Sequence, residues 1–188
     1  MSLHPDLEKV LFTREQIARR VAELGHEISR DYDGRDLVLL GVLKGSVVFL
    51  ADLMRAITVP HRFDLIRASS YGSATVSSGC VAISRRCELP LAGCDVLIVE
   101  DILDSGRTIA ALCREMEQSG ACSVALCVLL SKQRERDVIV EPRYVGFEIP
   151  DRFVVGYGLD YGERYRYLDC VGILKPSICE NPARSCKK

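Results

Sequence analysis

The chain has 188 residues, of which 48% are apolar, and its formal net charge is −1. This length predicts one domain, spanning residues 1–188, that is large enough to bury a hydrophobic core. The near-neutral charge argues against a protein that coats nucleic acid, and no apolar run is long enough to span a membrane.

The first third of the chain alternates between helix and strand patterns. Thr13 followed by Gln16 is a capping box, and the apolar residues after it repeat at helical spacing, which predicts a helix from about Arg14 to Asp31. The next predicted elements are a buried strand over 37–42, a turn over 43–46, a helix over 47–56 and a strand over 63–69. Residues 70–79 are rich in Ser, Gly and Thr and predict a mobile loop.

The rest of the chain continues the alternation. Strands are predicted over 81–85, 96–99, 123–130, 145–147, 153–155 and 171–174, the last closing the core, with a helix beginning at Thr108. Strands that alternate with helices predict an α/β fold: a central, mostly parallel sheet with helices on both faces. We identify no internal repeat or linker.

Nine cysteines are present, but their number is odd and no C-x-x-C pair occurs. The first ten residues also lack the apolar stretch of a signal peptide. We therefore expect a cytoplasmic protein whose thiols are structural, with Cys113, Cys122 and Cys127 as small core residues.

The most informative segment is residues 96–108, VLIVEDILDSGRT. An apolar strand leads through two adjacent carboxylates, Glu100 and Asp101, and a third, Asp104, into a turn and then a helix. Such a helix N-terminus presents unpaired backbone N–H groups to an anion, and the hydroxyls of Ser105 and Thr108 add donors. Phosphate donors beside three carboxylates predict a ligand with phosphate, hydroxyl groups and a divalent cation.

Polar residues follow several of the predicted strands. In a parallel sheet the carboxyl ends of the strands share one edge, where ligands bind. Five candidate side chains fall at that edge: Lys44, Glu100, Asp101, Asp104 and Lys132.

Residues 96–108 resemble the phosphoribosyl pyrophosphate signature of the phosphoribosyltransferases. The resemblance implies a type I phosphoribosyltransferase fold with a core over about residues 10–174. It also implies a small hood subdomain, built from N-terminal and C-terminal segments. Residues 175–188 match no part of the family pattern, and we expect them to form a flexible tail. By the same resemblance Glu100 and Asp101 hold the ribose hydroxyls. The 5′-phosphate loop consists of Asp104, Ser105, Gly106, Arg107 and Thr108.

Two further segments resemble the 6-oxopurine branch, the hypoxanthine-guanine phosphoribosyltransferases. Leu43-Lys44-Gly45 is similar to the pyrophosphate loop of that branch, in which a cis non-proline bond precedes the lysine. Ser70-Tyr71 resembles the pair on the lid that closes over the reacting centre.

The purine side of the site rests on the same resemblance. Lys132 matches the lysine that donates to the purine 6-oxo group. In residues 145–161, VGFEIPDRFVVGYGLDY, Phe153 is implied to stack on the base and the Val154 backbone to bind its edge. Asp160 is implied to help hold Mg²⁺, and Arg166 to reach the pyrophosphate.

The resemblance implies purine salvage: transfer of a 5-phosphoribosyl group from phosphoribosyl pyrophosphate to N9 of hypoxanthine or guanine. Asp104 is the candidate acceptor of the N7 proton. The main candidate Mg²⁺ ligand is Asp160, and Glu100 and Asp101 are candidates that contact the ion less directly. We also expect a homodimer or homotetramer.

Two alternatives remain at this point. One is an RNA-binding regulator on the same fold, since fold alone does not settle function. The other is a transferase directed at xanthine or adenine. Lys132 favours a 6-oxo base over adenine, because its ammonium can only donate.

Overall fold

The structure, a computed structural model, describes residues 4–70, 81–134 and 138–179. A six-stranded sheet runs through its centre, and a separate three-stranded sheet lies beside it. The elements are β1 (Leu7–Phe12), α1 (Arg14–Asp31), β2 (Leu37–Val42), α2 (Val47–Ala56), β3 (His61–Ser70), β4 (Val81–Arg85), β5 (Asp95–Leu103), α3 (Arg107–Gln118), β6 (Ser123–Lys132), β7 (Tyr144–Ile149), β8 (Val154–Val155), β9 (Val171–Leu174) and α4 (Pro176–Cys179).

The central sheet has the order β4-β3-β2-β5-β6-β7. All its neighbours are parallel except β3 and β4, which pair antiparallel. Strand β2 shows why the sheet is buried on both faces: Leu37 and Leu39 pack into one core cluster, and Val38 and Leu40 pack into another. The predicted α/β fold class is confirmed.

The second sheet, the hood, has the order β1-β9-β8, with both pairings antiparallel. The sequence pattern did not predict β1, because its apolar residues do not alternate cleanly and its partner lies at the far end of the chain. Strand β9, predicted to close the core, is the middle strand of the hood. Its Val171 and Ile173 nevertheless pack against the main core.

Helix α1 follows the prediction closely. Thr13 caps it, the Gln16 backbone N–H donates to the Thr13 hydroxyl, and the Gln16 side chain accepts from the Thr13 N–H at 2.8 Å. Its buried face includes Ile17, Leu24 and Ile28. Several other boundaries differ from the prediction by one to four residues. The largest difference is in β5, which continues to Leu103 because it stays paired with β6, and α3 begins one residue early, at Arg107.

Six cysteines are free thiols: Cys87, Cys94, Cys113, Cys122, Cys127 and Cys170. Cys127 is fully buried, and burial raises the pKa of its thiol. Cys113 packs partly buried against the second core cluster. Cys122 is exposed, so its assignment to the core was wrong: it lies one residue before β6, where the chain has not yet entered the core. Within the described ranges, no helix is both long and apolar enough to cross a membrane.

Candidate active site

The carboxyl ends of β2, β5 and β6 meet at one edge of the central sheet. The turns that follow β2 and β5, and the last residue of β6, carry six of the predicted site residues: Lys44, Gly45, Asp104, Ser105, Gly106 and Lys132. Lys132 is the last residue of β6, and Lys44 lies two residues after β2. The sheet therefore brings together segments that are far apart in the chain, as the strand pattern predicted.

The turn between β5 and α3 encloses a cleft of about 330 Å³. Gly106 caps α3 in a left-handed conformation, with φ of 80°, and a Cβ there would lie 2.9 Å from the Val138 carbonyl oxygen. Ser105 and Thr108 line the cleft, as do Glu100 and Asp104. A glycine turn at a helix N-terminus with two hydroxyls beside it suits a phosphate group.

Both residues of the acidic pair lie inside β5, not after it. Asp101 is buried, and one carboxylate oxygen accepts from the Ile102 N–H at 3.0 Å. The other oxygen packs against Gly45, where a Cβ would overlap it. Burial, reinforced by the adjacent Asp101 carboxylate, raises the pKa of Glu100 well above its ordinary value.

This raised pKa gives Glu100 a pH-dependent effect on stability. The folded chain binds the Glu100 proton more tightly than the unfolded chain does, so Glu100 favours folding at low pH. That contribution is lost as the pH rises through the raised pKa.

We expect Glu100→Gln to reduce this loss of unfolding free energy with rising pH. In urea unfolding of the ligand-free protein, the variant should gain stability relative to wild type as the pH goes from about 5 to about 8. The amide keeps the size of the side chain and cannot ionise. If the difference in unfolding free energy between the variant and wild type stayed the same across that pH range, Glu100 would not be a carboxyl with a raised pKa.

The predicted pyrophosphate side contains two cations, each paired with acidic side chains of the segment that connects β8 to β9. The Lys44 ammonium lies 3.1 Å from Glu163, and the Arg166 guanidinium lies 2.7 Å from Asp160 and 3.2 Å from Glu163. Arg166 also donates to the Gly158 carbonyl at 2.7 Å. Hydrogen bonds from Lys44 and, to a lesser extent, Arg166 lower the pKa of Glu163. The sequence did not single out Glu163.

The loop carrying Lys44 packs directly against the hood. The peptide bond between Leu43 and Lys44 is cis. The Gly45 carbonyl oxygen lies so close to Gly158 that a Cβ on Gly158 would overlap it, and Gly158 itself has φ of 100°. Gly45 is therefore fixed between Asp101 on one side and Gly158 on the other.

The predicted base side centres on Lys132. Its ammonium lies 3.2 Å from Asp104 and 3.0 Å from Asp151. Phe153 leaves 48% of its surface exposed beside Tyr161, their rings edge to face at 5.3 Å. An exposed phenyl ring of this kind offers a face for stacking a flat base.

The Val154 backbone belongs to β8, in the hood sheet, where Val154 pairs with Ile173 of β9. Of the lid pair, Ser70 ends β3, and Tyr71 lies outside the described residues, as do 72–79. Of the predicted tail, residues 180–188 also lie outside them.

No three His, Cys, Asp or Glu side chains of the described ranges group into a metal cage. Asp160, Glu100 and Asp101 thus do not form one. Such a set suits Mg²⁺ only when substrate oxygens and water complete its coordination, which is the usual mode for this ion.

Comparison with known proteins decides the family. The family model for the phosphoribosyl transferase domain matches residues 9–162. The hypoxanthine-guanine phosphoribosyltransferase of Mycobacterium tuberculosis (strain ATCC 25618 / H37Rv) is 49% identical, over 94% of this chain and 91% of its own length. The chain belongs to the hypoxanthine-guanine phosphoribosyltransferases.

Two other relatives support that placement. A crystal structure of a hypoxanthine phosphoribosyltransferase from Staphylococcus aureus superimposes with a TM-score of 0.91 at 42% identity, covering 95% of this chain and 97% of that one. The bifunctional protein TilS/HprT of Listeria innocua is 47% identical over 94% of this chain. This phosphoribosyltransferase chain spans only 27% of that longer protein.

The family match also bears on the site residues. Every candidate site residue except Arg166 lies inside the matched range, and Arg166 follows it by four positions. Three charged neighbours of the site were not predicted: Arg134, Asp151 and Glu163. The resemblance assigned none of them a role, and only the folded loops bring Arg134 to Asp104, Asp151 to Lys132 and Glu163 to Lys44.

Proposed function

We propose that the chain transfers the 5-phosphoribosyl group of phosphoribosyl pyrophosphate to N9 of hypoxanthine or guanine, giving IMP or GMP and pyrophosphate. One observation carries the proposal. A phosphate cleft, an acidic pair, a two-cation cluster and a Lys132–Asp104 pair all lie at the same sheet edge. These four features match the four parts of the reactant pair: 5′-phosphate, ribose, pyrophosphate and base.

The donor is held through its three parts. The 5′-phosphate fits the N-terminus of α3, with Ser105 and Thr108 donating. Glu100 and Asp101 accept hydrogen bonds from the ribose hydroxyls. The pyrophosphate takes the place of Glu163 and Asp160 as the partner of Lys44 and Arg166.

Bond breaking places positive charge on the ribose ring and negative charge on the departing pyrophosphate. Lys44 and Arg166 neutralise the latter, which is electrostatic stabilisation of developing charge. Mg²⁺, held by Asp160 with Glu100 and Asp101 nearby, would add further neutralisation when bound. Asp104 accepts the N7 proton as N9 attacks, and Lys132 donates to the 6-oxo group.

The base preference follows from hydrogen-bond types. Lys132 can only donate, so adenine, which presents an amino donor at the same position, is disfavoured. Xanthine differs from hypoxanthine and guanine at the 2-position, and selectivity there depends on the placement of the backbone carbonyls around Val154 and Asp160.

The decisive experiment measures nucleotide formation with hypoxanthine, guanine, xanthine and adenine in parallel. We expect IMP and GMP formation to exceed AMP formation by at least about a hundredfold. An RNA gel shift tests the alternative of an RNA-binding regulator. RNA binding without nucleotide formation would overturn the proposal.

Activity should also depend on a divalent cation. Because the candidate carboxylates and the oxygens of bound pyrophosphate together supply the ligands that Mg²⁺ prefers, we expect no turnover after exhaustive chelation and full recovery when Mg²⁺ is added back. Zn²⁺ at the same concentration is the control, since it prefers nitrogen and sulfur ligands. Full activity in chelator would rule out the metal assignment.

We further propose a cytoplasmic homodimer or homotetramer. Several apolar side chains support assembly by lying exposed outside the site, among them Phe63, with 50% of its surface exposed, and Tyr167, with 77%. Light scattering at micromolar concentration tests this proposal, and a monomer would contradict it.

A further inference from the structure

Four charged side chains at the base side form what we call the charge ring: Asp104, Lys132, Arg134 and Asp151. Their charges alternate. Lys132 lies 3.2 Å from Asp104 and 3.0 Å from Asp151, and Arg134 lies 3.0 Å from Asp104 and 3.6 Å from Asp151. Each acid thus contacts both cations, and each cation contacts both acids.

The ring joins three loops that are distant in the chain. Asp104 follows β5, Lys132 is the last residue of β6, Arg134 comes two residues later, and Asp151 follows β7. The Lys132 side chain is only 13% exposed, whereas those of the other three are 39–47% exposed. Lys132 is therefore the inner member, and the others surround it.

Asp151 fixes the direction of the Lys132 ammonium. An ammonium group has three N–H bonds in fixed relative directions. With one directed at Asp104 and one at Asp151, the direction of the third is determined as well. The hydrogen bond from Lys132 lowers the pKa of Asp151, which keeps this partner ionised.

Arg134 fixes Asp104 in the same way. Lys132 binds one oxygen of the Asp104 carboxylate and Arg134 binds the other. A carboxylate held at both oxygens cannot rotate freely, so it presents its lone pairs in a constant direction. On a 6-oxopurine the O6 acceptor and the N7–H donor are neighbours on one edge, so the ammonium and the carboxylate must be aligned with each other.

We propose that Asp151 and Arg134 are positioning residues, Asp151 orienting Lys132 for the 6-oxo group and Arg134 orienting Asp104 for the N7 proton. The inference rests on the proposed function and extends it to two residues that do not touch the reacting atoms. The proposal assigns base recognition and proton acceptance to different positioning residues. Loss of Asp151 acts on the first and loss of Arg134 on the second.

Steady-state kinetics of Asp151→Asn tests the recognition half. The amide keeps the size of the side chain and removes its charge. We expect the KM for hypoxanthine to rise about tenfold, the preference for hypoxanthine over adenine to narrow, and the KM for phosphoribosyl pyrophosphate to stay unchanged. Lys132→Ala should show the same pattern more strongly.

Arg134→Gln tests the second half. We expect kcat to fall about tenfold with both KM values nearly unchanged, because the carboxylate is still present but less well aligned. Arg134→Lys should recover part of kcat, since it restores a cation. A structural role alone would not divide the two variants between KM and kcat.

Arg152→Gln is the matched control. Arg152 lies next to Asp151 but pairs with Glu8, 3.0 Å away on the hood. It should behave as wild type. If Asp151→Asn and Arg134→Gln also match wild type, or raise the KM of the donor as much as that of the base, the charge-ring inference is overturned while the proposed function stands. A wild-type protein that forms no nucleotide would overturn both.

Discussion

Replacing Asp104 by asparagine should lower kcat for IMP formation by about a hundredfold or more, which is the loss expected when a general base is removed. The amide has nearly the shape of the carboxylate, and its carbonyl oxygen can still accept a hydrogen bond from Lys132 or Arg134. It cannot accept the N7 proton. Steady-state kinetics with hypoxanthine, at saturating donor, measure the effect.

Donor binding is the control for Asp104→Asn. Equilibrium titration with phosphoribosyl pyrophosphate should give an affinity close to that of wild type, because Ser105, Thr108 and the N-terminus of α3 are untouched. Near-normal turnover by the purified variant would remove Asp104 from the role of base.

Replacing Gly158 by alanine should damage the pyrophosphate side from a distance. The new Cβ would overlap the Gly45 carbonyl oxygen, which is backbone and cannot rotate away. The loop carrying Lys44 must then move, and a shift of about 1 Å at a reacting centre costs up to about a hundredfold in rate. We expect the donor kcat/KM to fall by that order.

Gly34→Ala is the control that separates the effect of the atomic overlap with Gly45 from the effect of backbone strain. Gly34 also has a positive φ, of 70°, but a Cβ there would meet nothing within 4 Å. Both variants should lose some thermal stability, because alanine resists a left-handed conformation. Only Gly158→Ala should lose donor kcat/KM. Equal activity of the two variants would show that the contact with Gly45 does not position the loop.

Local sequence patterns predicted most of the central fold. The capping box at Thr13 placed the start of α1, and the apolar run Leu37–Val42 placed β2, because these signals are contained within a few neighbouring residues. The carboxyl-edge rule then placed Lys44 and Lys132 at one edge. Strand β1 escaped prediction because its pairing with β9 depends on residues more than 150 positions away.

The site was predicted less completely, for a related reason. Residues with a motif around them, such as Asp104 and Phe153, were identified from the sequence. Asp151 lies within the segment 145–161 and Glu163 lies just after it, but the resemblance assigned neither a role; they matter through the cations they face, Lys132 and Lys44. Those contacts arise only once separate loops have folded against each other.

The order of the hood strands has a consequence for synthesis on the ribosome. Strands β1 and β8 both pair with β9, and not with each other. The first strand to be made must therefore wait, unpaired, until residue 174 has left the exit tunnel. The phosphate cleft, formed mainly by β5 and α3, needs no such delay. A nascent chain can thus complete its phosphate-binding half first, and the Val154 backbone gains its strand partner only once β9 has emerged.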